Sequence, residues 1–465
     1  MLSQLNKFFA EKSDRVICYS LKRNIQVSVT DLGQDVIDLR RKIQQVDAEN
    51  WMLSSEDSYN FLVGFCALLS LERKIIICAN QKLEWLSEIE QEFDAALTDN
   101  EFSLRSKVHL KLTPESSQKN VEQLQVKRHS AVSLEPILFS GKEKIQFFTS
   151  GSTGKAKKIT KNLSCLTNEL ETLESTFGDR ARNTVYIASV SHMHIYGLLF
   201  RLLWPLLTAR KWLIESIEFP EQLSSMNSVN SVFTFVSSPA FLSRLDLNLP
   251  GICLQSFSSG GALSKIDANK SAKFFRTYPV EVYGSTETGG IGYRQQLNDA
   301  TKWTPFDNLK LKETTEGILL ESNHLGNFPA VLLDDELLIH KEGTFTLKGR
   351  KDRVIKLGEK RISLSEIEGY LETNPEIKEC KAVLAQGKRD AICCAVVLSE
   401  SGNIKYKQIG KQALIASWKI QMKNRFDAVT LPRKWRFITA IPINSQSKVD
   451  QLKLLEIFQS KEVAF

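Results

Sequence analysis

Apolar positions along this chain fall into short blocks of two kinds. From Asp57 to Glu72, Phe61, Leu62, Phe65, Leu68 and Leu69 recur at the spacing of one helical face, so a helix is predicted there. The next block, the triple isoleucine and Cys78 within Lys74–Asn80, is continuous and reads as a buried strand. A helix followed directly by a strand points to α/β layering. Asn183–Ser191 and Ser231–Ser238 are predicted as two more buried strands with helical segments between them. Residues 100–143 are polar and aperiodic and read as a surface connection. Near Gly349 the texture changes to short strands, a helix after Ser363 and frequent turn residues, and a domain boundary is placed there. The expected fold class is therefore α/β: a large N-terminal domain of layered sheets and helices, residues 1–349, and a small α+β C-terminal domain, residues 350–465.

Composition narrows the class of protein. A chain of 465 residues exceeds one ordinary core, in keeping with two domains or more. An apolar fraction of 42% with 25% charged residues is that of a globular protein. Charges interrupt the N-terminal MLSQLNKFFAEKSDR where a secretory signal needs an unbroken apolar core. No run approaches the roughly 18 apolar residues of a membrane span, and the best candidate, Ile195–Leu207, is broken by Arg201 and Pro205. The eight cysteines include one adjacent pair, Cys393 and Cys394, and no CxxC or Cys/His spacing. Reduced thiols in a cytoplasm are expected, with neither a disulfide frame nor a zinc site. The net charge is +7; from Lys351 onward 21 Lys and Arg face 13 Asp and Glu, so the last quarter carries the whole excess. A solvated surface and a docking face for an acidic partner both fit this. Nucleic acid is not expected, because the charge is dispersed.

Candidate chemistry begins at residues 147–158, FFTSGSTGKAKK. Small residues and glycines after a short apolar strand expose backbone N–H groups. Hydroxyls add donors and Lys157 or Lys158 adds charge, a combination suited to polyphosphate. It is not a GxxxxGK[ST] loop, because Thr149 stands where the first glycine is required. By itself it could equally be an ordinary Ser/Gly turn. Residues 282–290, VYGSTETGG, add a Thr–Glu pair beside glycines, where Thr286 can donate to phosphate and Glu287 can hold Mg²⁺. Gly349–Glu368 and Pro442–Asp450 complete a set of four segments.

In their order and spacing these segments resemble the adenylate-forming superfamily of acyl- and aryl-CoA synthetases, luciferases and peptide-synthetase adenylation domains, over roughly residues 140–455. The resemblance implies that residues 1–349 bind ATP and the acyl group, and that 350–465 form a mobile domain carrying the catalytic lysine. It implies a phosphate loop of Thr149, Ser150, Gly151, Ser152, Thr153, Gly154 and Lys157, with Ala156 in place of the family's proline. His194, in SHMHIYG, matches the acyl-pocket position near the carboxylate. Gly260, Gly261 and Ala262, with Tyr283, Gly284 and Ser285, match the walls around adenine and the acyl group. Thr286 and Glu287 match the Mg²⁺-binding pair. Asp335 and Arg350 match the ribose contacts, with Asp334 competing for the first role. Asp352 matches the hinge, Gly358 the pantetheine tunnel and Lys448 the C-terminal catalytic lysine, although Ser447 replaces the glycine that normally precedes it.

The implied cofactors are ATP and Mg²⁺, with a carboxylic acid as substrate and a thiol as acceptor. Amino-acid-activating relatives usually carry an early pocket aspartate, and neither residues 191–197 nor 231–239 contain one. An aryl or fatty acid is therefore expected; Phe233, Phe235 and Tyr283 could line its pocket or belong to the core. The HMHIYG segment is similar to AMP-ligases of aryl-polyene and fatty-acid-like pathways, which makes the acceptor the phosphopantetheine of an acyl carrier protein. Free CoA is the alternative acceptor. A non-catalytic nucleotide-binding relative and an adenylate former without a thiol step are the rival classes.

Overall fold

The structure, a computed structural model, describes the chain except for residues 12, 79–82, 101–106, 115, 117–136, 151–155, 227–231, 250–251, 253–254, 299–300, 327, 351–352, 358–359, 386–390, 424–425, 427–429, 445–448 and 460–465. The chain gathers into two compact units: Met1–Lys310 with Glu321–Val331, and Leu311–Leu320 with Leu332–Phe465.

Two sheets organise the first unit. One runs in the order Val108–Lys111, Ala95–Thr98, Asn50–Ser54, Lys74–Ile77, Lys144–Ser150, Ala156–Asn162. All its pairings are parallel except the last, an antiparallel hairpin. The predicted helix forms as Ser58–Ser70 because Asp57 caps it, accepting from the Tyr59 and Asn60 N–H groups. It is buried from Ser58 to Leu69, which explains its nearly unbroken apolar sequence. The triple isoleucine that follows is a central strand, buried as predicted. The 100–143 segment is not wholly irregular: Val108–Lys111 pairs with Ala95–Thr98 as an edge strand. Four residues, half-exposed at an edge, leave no periodic signal in the sequence.

The second sheet has nine strands, and its parallel centre runs Val280–Ser285, Gln255–Ser258, Phe233–Ser237, Val185–Ala188, Lys211–Ser216, Val16–Ser20. Both strands predicted in this region are present, shortened to Val185–Ala188 and Phe233–Ser237. Between them lies a further strand, Lys211–Ser216, where only helical segments were expected. Phe233 and Phe235 belong to a core cluster with Phe241, Phe274 and Phe275, so they pack the interior instead of lining a pocket.

The second unit is α+β. Ile377–Ala385, Ala391–Leu398 and Lys434–Phe437 form its three-stranded sheet, packed with Leu364–Glu372 and Glu400–Met422 around Trp418 and Trp435. The helix expected after Ser363 begins where the Ser363 hydroxyl accepts from the Glu366 N–H. Seven cysteines among the described residues are buried and outside any disulfide. No described helix is long and apolar enough to cross a membrane.

Candidate active site

The hairpin Lys144–Ser150/Ala156–Asn162 carries the predicted phosphate loop at its tip. Its register sets Thr149 opposite Lys157 and Ser150 opposite Ala156. Gly151, Ser152, Thr153 and Gly154 lie outside the described residues. A second hairpin, Val280–Ser285/Gly289–Arg294, carries the Thr–Glu pair at its turn. The turn is closed by hydroxyls: Thr288 N–H donates to Ser285 Oγ at 3.2 Å, and Ser285 N–H donates to Thr288 Oγ1 at 3.0 Å. Gly284 is required here, since a Cβ would stand 2.3 Å from the Gly289 carbonyl oxygen.

The two hairpins meet. Lys157 Nζ donates to Glu287 Oε1 at 2.6 Å across 130 positions of sequence. Partial burial pulls the Glu287 carboxyl upward, but hydrogen bonds from Lys157, its own backbone and Ser285, with the Lys157 charge, together outweigh it and hold the group below its ordinary value. An ionised carboxylate and a half-exposed ammonium thus share one surface, and Thr286 precedes the carboxylate in the turn. No three His, Cys, Asp or Glu side chains cluster as a metal site among the described residues. A lone carboxylate with a neighbouring hydroxyl fits a hard cation that takes its remaining oxygens from a bound polyphosphate.

Beneath the turn lies a buried polar layer that the sequence reading did not identify. Lys161, on the same strand as Lys157, is buried and donates to the main-chain oxygens of Glu287 at 2.7 Å and His324 at 2.8 Å. Burial lowers its pKa, opposed by the nearby Glu169 carboxylate. Glu169, from the helix Leu163–Phe177, accepts from the Gly290 N–H at 2.6 Å. His324 Nδ1 lies 3.2 Å from the Gly290 oxygen and Nε2 lies 3.0 Å from Thr172 Oγ1. One signal was available: Lys157, Ile159 and Lys161 fall two apart, the spacing of residues that share one face of a strand. His324 carried none, because its partners are distant in sequence.

Of the remaining predicted residues, Gly260 takes a φ of +89°, a left-handed conformation that favours glycine. The adjoining Ser259 hydroxyl donates to the Val282 carbonyl at 2.9 Å, tying the Gly260–Gly261–Ala262 segment to the strand leading to Tyr283. Tyr283 is half-buried, its ring 5.7 Å from that of Trp303. His194 is half-buried at the N-cap of Ile195–Gly197. Its neighbour His192 is buried, with Nε2 2.9 Å from the Ser55 oxygen, and burial drives its pKa well down. In the second unit the hairpin Asp335–Ile339/Phe345–Arg350 sets Asp335 directly opposite Arg350. Asp352, Gly358 and Lys448 lie outside the described residues.

The profile of the AMP-binding enzyme family matches residues 72–321, more than half of the chain. The chain belongs to the AMP-binding enzyme family. Among relatives of this AMP-binding enzyme, a 4-coumarate–CoA ligase of Cereibacter sphaeroides is 27% identical over 319 residues, covering 67% of this chain and 71% of the relative. A D-alanine–D-alanyl carrier protein ligase of Staphylococcus epidermidis is 25% identical over 373 residues, covering 69% and 74%. Among solved structures, a benzoate CoA ligase of Burkholderia xenovorans superposes with a TM-score of 0.77 at 14% identity, over 97% of this chain and 99% of the other. The O-succinylbenzoate coenzyme A synthetase of Bacillus subtilis, solved with AMP, gives 0.76 at 14%, over 97% of each. At that identity the likeness is one of fold.

Proposed function

We propose that this AMP-binding enzyme activates an aryl or fatty acid as its acyl-adenylate and passes the acyl group to the phosphopantetheine thiol of an acyl carrier protein. The observation carrying the reading is the apposition of Lys157 and Glu287, which joins two motifs far apart in sequence into one polyphosphate-binding surface. In the first step a carboxylate oxygen attacks the α-phosphorus of ATP, forming a mixed acyl–phosphate anhydride as the bond to the departing pyrophosphate breaks. Lys157 and the loop N–H groups offset charge on the departing phosphates. Glu287 and Thr286 would hold Mg²⁺, which when bound neutralises phosphate charge. In the second step the thiol sulfur attacks the acyl carbon and AMP leaves.

Lys448, Asp352 and Gly358 keep the roles of catalytic lysine, hinge and tunnel, and His194 that of a residue beside the acyl carboxylate. The boundary near Gly349 separates the two functional parts in this reading. Asp335 and Arg350, set opposite one another by the strand register, keep the role of ribose contacts. The excess of cations after Lys351 supports an acidic carrier as acceptor, as does likeness to the D-alanyl carrier protein ligase. Likeness to the 4-coumarate–CoA ligase favours an aryl acid, and it also favours free CoA as the second candidate acceptor.

Acid-dependent exchange of labelled pyrophosphate into ATP, across aryl, fatty and amino acids, tests the first step. Exchange with one class of acid supports the reading; none with any acid, in folded protein that binds ATP, refutes it. Thioester formation on holo carrier protein against free CoA then decides the acceptor. Lys448→Ala should abolish exchange, whereas Asp352→Pro should spare exchange and impair thioester formation.

A further inference from the structure

Two lysines on one strand hold the same glutamate by different ends. Lys157 takes the Glu287 carboxylate and Lys161 takes its main-chain oxygen, each within 2.7 Å. The consequences differ. Lys157 is half-exposed, free to exchange its partner for a phosphate. Lys161 is only 4% exposed, and both its bonds run to backbone: the Glu287 oxygen and the His324 oxygen. The rest of the turn is held from the same side. Glu169 accepts from Gly290 N–H, and His324 stands against the Gly290 oxygen and is braced by Thr172 and Asn308. A turn whose backbone is gripped at residues 287 and 290 has little freedom to let the Glu287 carboxylate wander.

We propose that Lys161 is a positioning residue for acid activation: by anchoring the Glu287 main chain, with Glu169 and His324 on Gly290, it fixes the carboxylate where a divalent cation on bound ATP is taken. The inference rests on the reading of Glu287 as a metal-holding residue. Lys161 touches neither metal nor nucleotide, and its effect passes through Glu287. Because a preset carboxylate loses less freedom when the cation binds, loosening it raises the cation concentration required.

The test compares Lys161→Met, Glu169→Gln and Glu287→Gln in the full-length chain. Glu169→Gln keeps an acceptor for Gly290 N–H but removes the charge that strengthens the bond, so it loosens the turn more mildly and serves if Lys161→Met does not fold. Two quantities are read: Mn²⁺ bound in the presence of ATP, by electron paramagnetic resonance, and the Mg²⁺ dependence of pyrophosphate exchange beside the KM for the acid. Lys161→Met is expected to weaken Mn²⁺ binding and raise the Mg²⁺ midpoint about tenfold, with Glu169→Gln moving both the same way and the acid KM within twofold. If Glu287→Gln weakens Mn²⁺ binding and the other two do not, the positioning role of Lys161 is overturned. If Glu287→Gln itself leaves Mn²⁺ binding unchanged, the metal role of Glu287 fails first and the inference falls with it.

Discussion

Lys157 and Lys161, four residues apart on one strand, converge on Glu287, the first at its carboxylate and the second at its main-chain oxygen. The strand that leaves the phosphate loop therefore also determines where the Thr–Glu turn sits. Motifs read separately along the chain are one mechanical unit, with a solvent-facing contact over a buried one.

Lys157→Met removes the outer contact. The pair is about half exposed, so the fold should lose less than about 1 kcal/mol in urea unfolding. Pyrophosphate exchange should nevertheless fall by about a hundredfold, the scale of a lost transition-state contact. A near-wild-type exchange rate would remove Lys157 from the phosphate-binding set.

Gly284→Ala tests the turn itself. The new Cβ would lie 2.3 Å from the Gly289 carbonyl oxygen, a backbone atom that cannot yield without opening the hairpin. Exchange should drop by on the order of a hundredfold as Glu287 moves, since small misplacements of a catalytic contact have large kinetic effects. Exchange kinetics unchanged beside wild type would show that the turn tolerates the displacement.

Asp35 gives stability a pH dependence away from the site. It is buried on the helix Val29–Ile43, accepts from Tyr59 Oη at 2.6 Å, and burial raises its pKa to about 6 despite that bond. A carboxyl with a raised folded pKa binds its proton more tightly folded than unfolded. Its burial is therefore least costly below about pH 4, and the fold loses stability as pH rises from there to about 6, by up to about 3 kcal/mol. Asp35→Asn should gain relative to wild type over that interval and level off above it. Urea midpoints for both proteins between pH 4 and 8 check this; a constant difference would show that Asp35 does not titrate there.

Glu174 accepts from Trp204 Nε1 at 2.7 Å and from both terminal nitrogens of Arg210, at 2.6 and 3.0 Å. The Arg210 side chain is 9% exposed. Glu174→Ala strands that charge and should cost about 3 kcal/mol, whereas Glu174→Leu combined with Arg210→Leu should recover much of the loss. Equal losses in the single and double variants would mean that packing, not the stranded charge, sets the cost.

By itself the sequence determined the class of fold, the helix beginning near Asp57, the central isoleucine strand and the segments whose composition suits phosphate. Each is local: periodicity, a capping side chain and glycine-rich loops are fixed by neighbours in the chain. The tertiary structure decided the rest. It added the edge strand Val108–Lys111 and the strand Lys211–Ser216, whose pairing is set by partners distant in sequence. It assigned Phe233 and Phe235 to the core. It also joined Lys157 to Glu287 and placed Lys161, Glu169 and His324 beneath them. Each of those contacts spans more than 30 residues, and a lone lysine or histidine has no local signature for the backbone group it will satisfy once water is excluded.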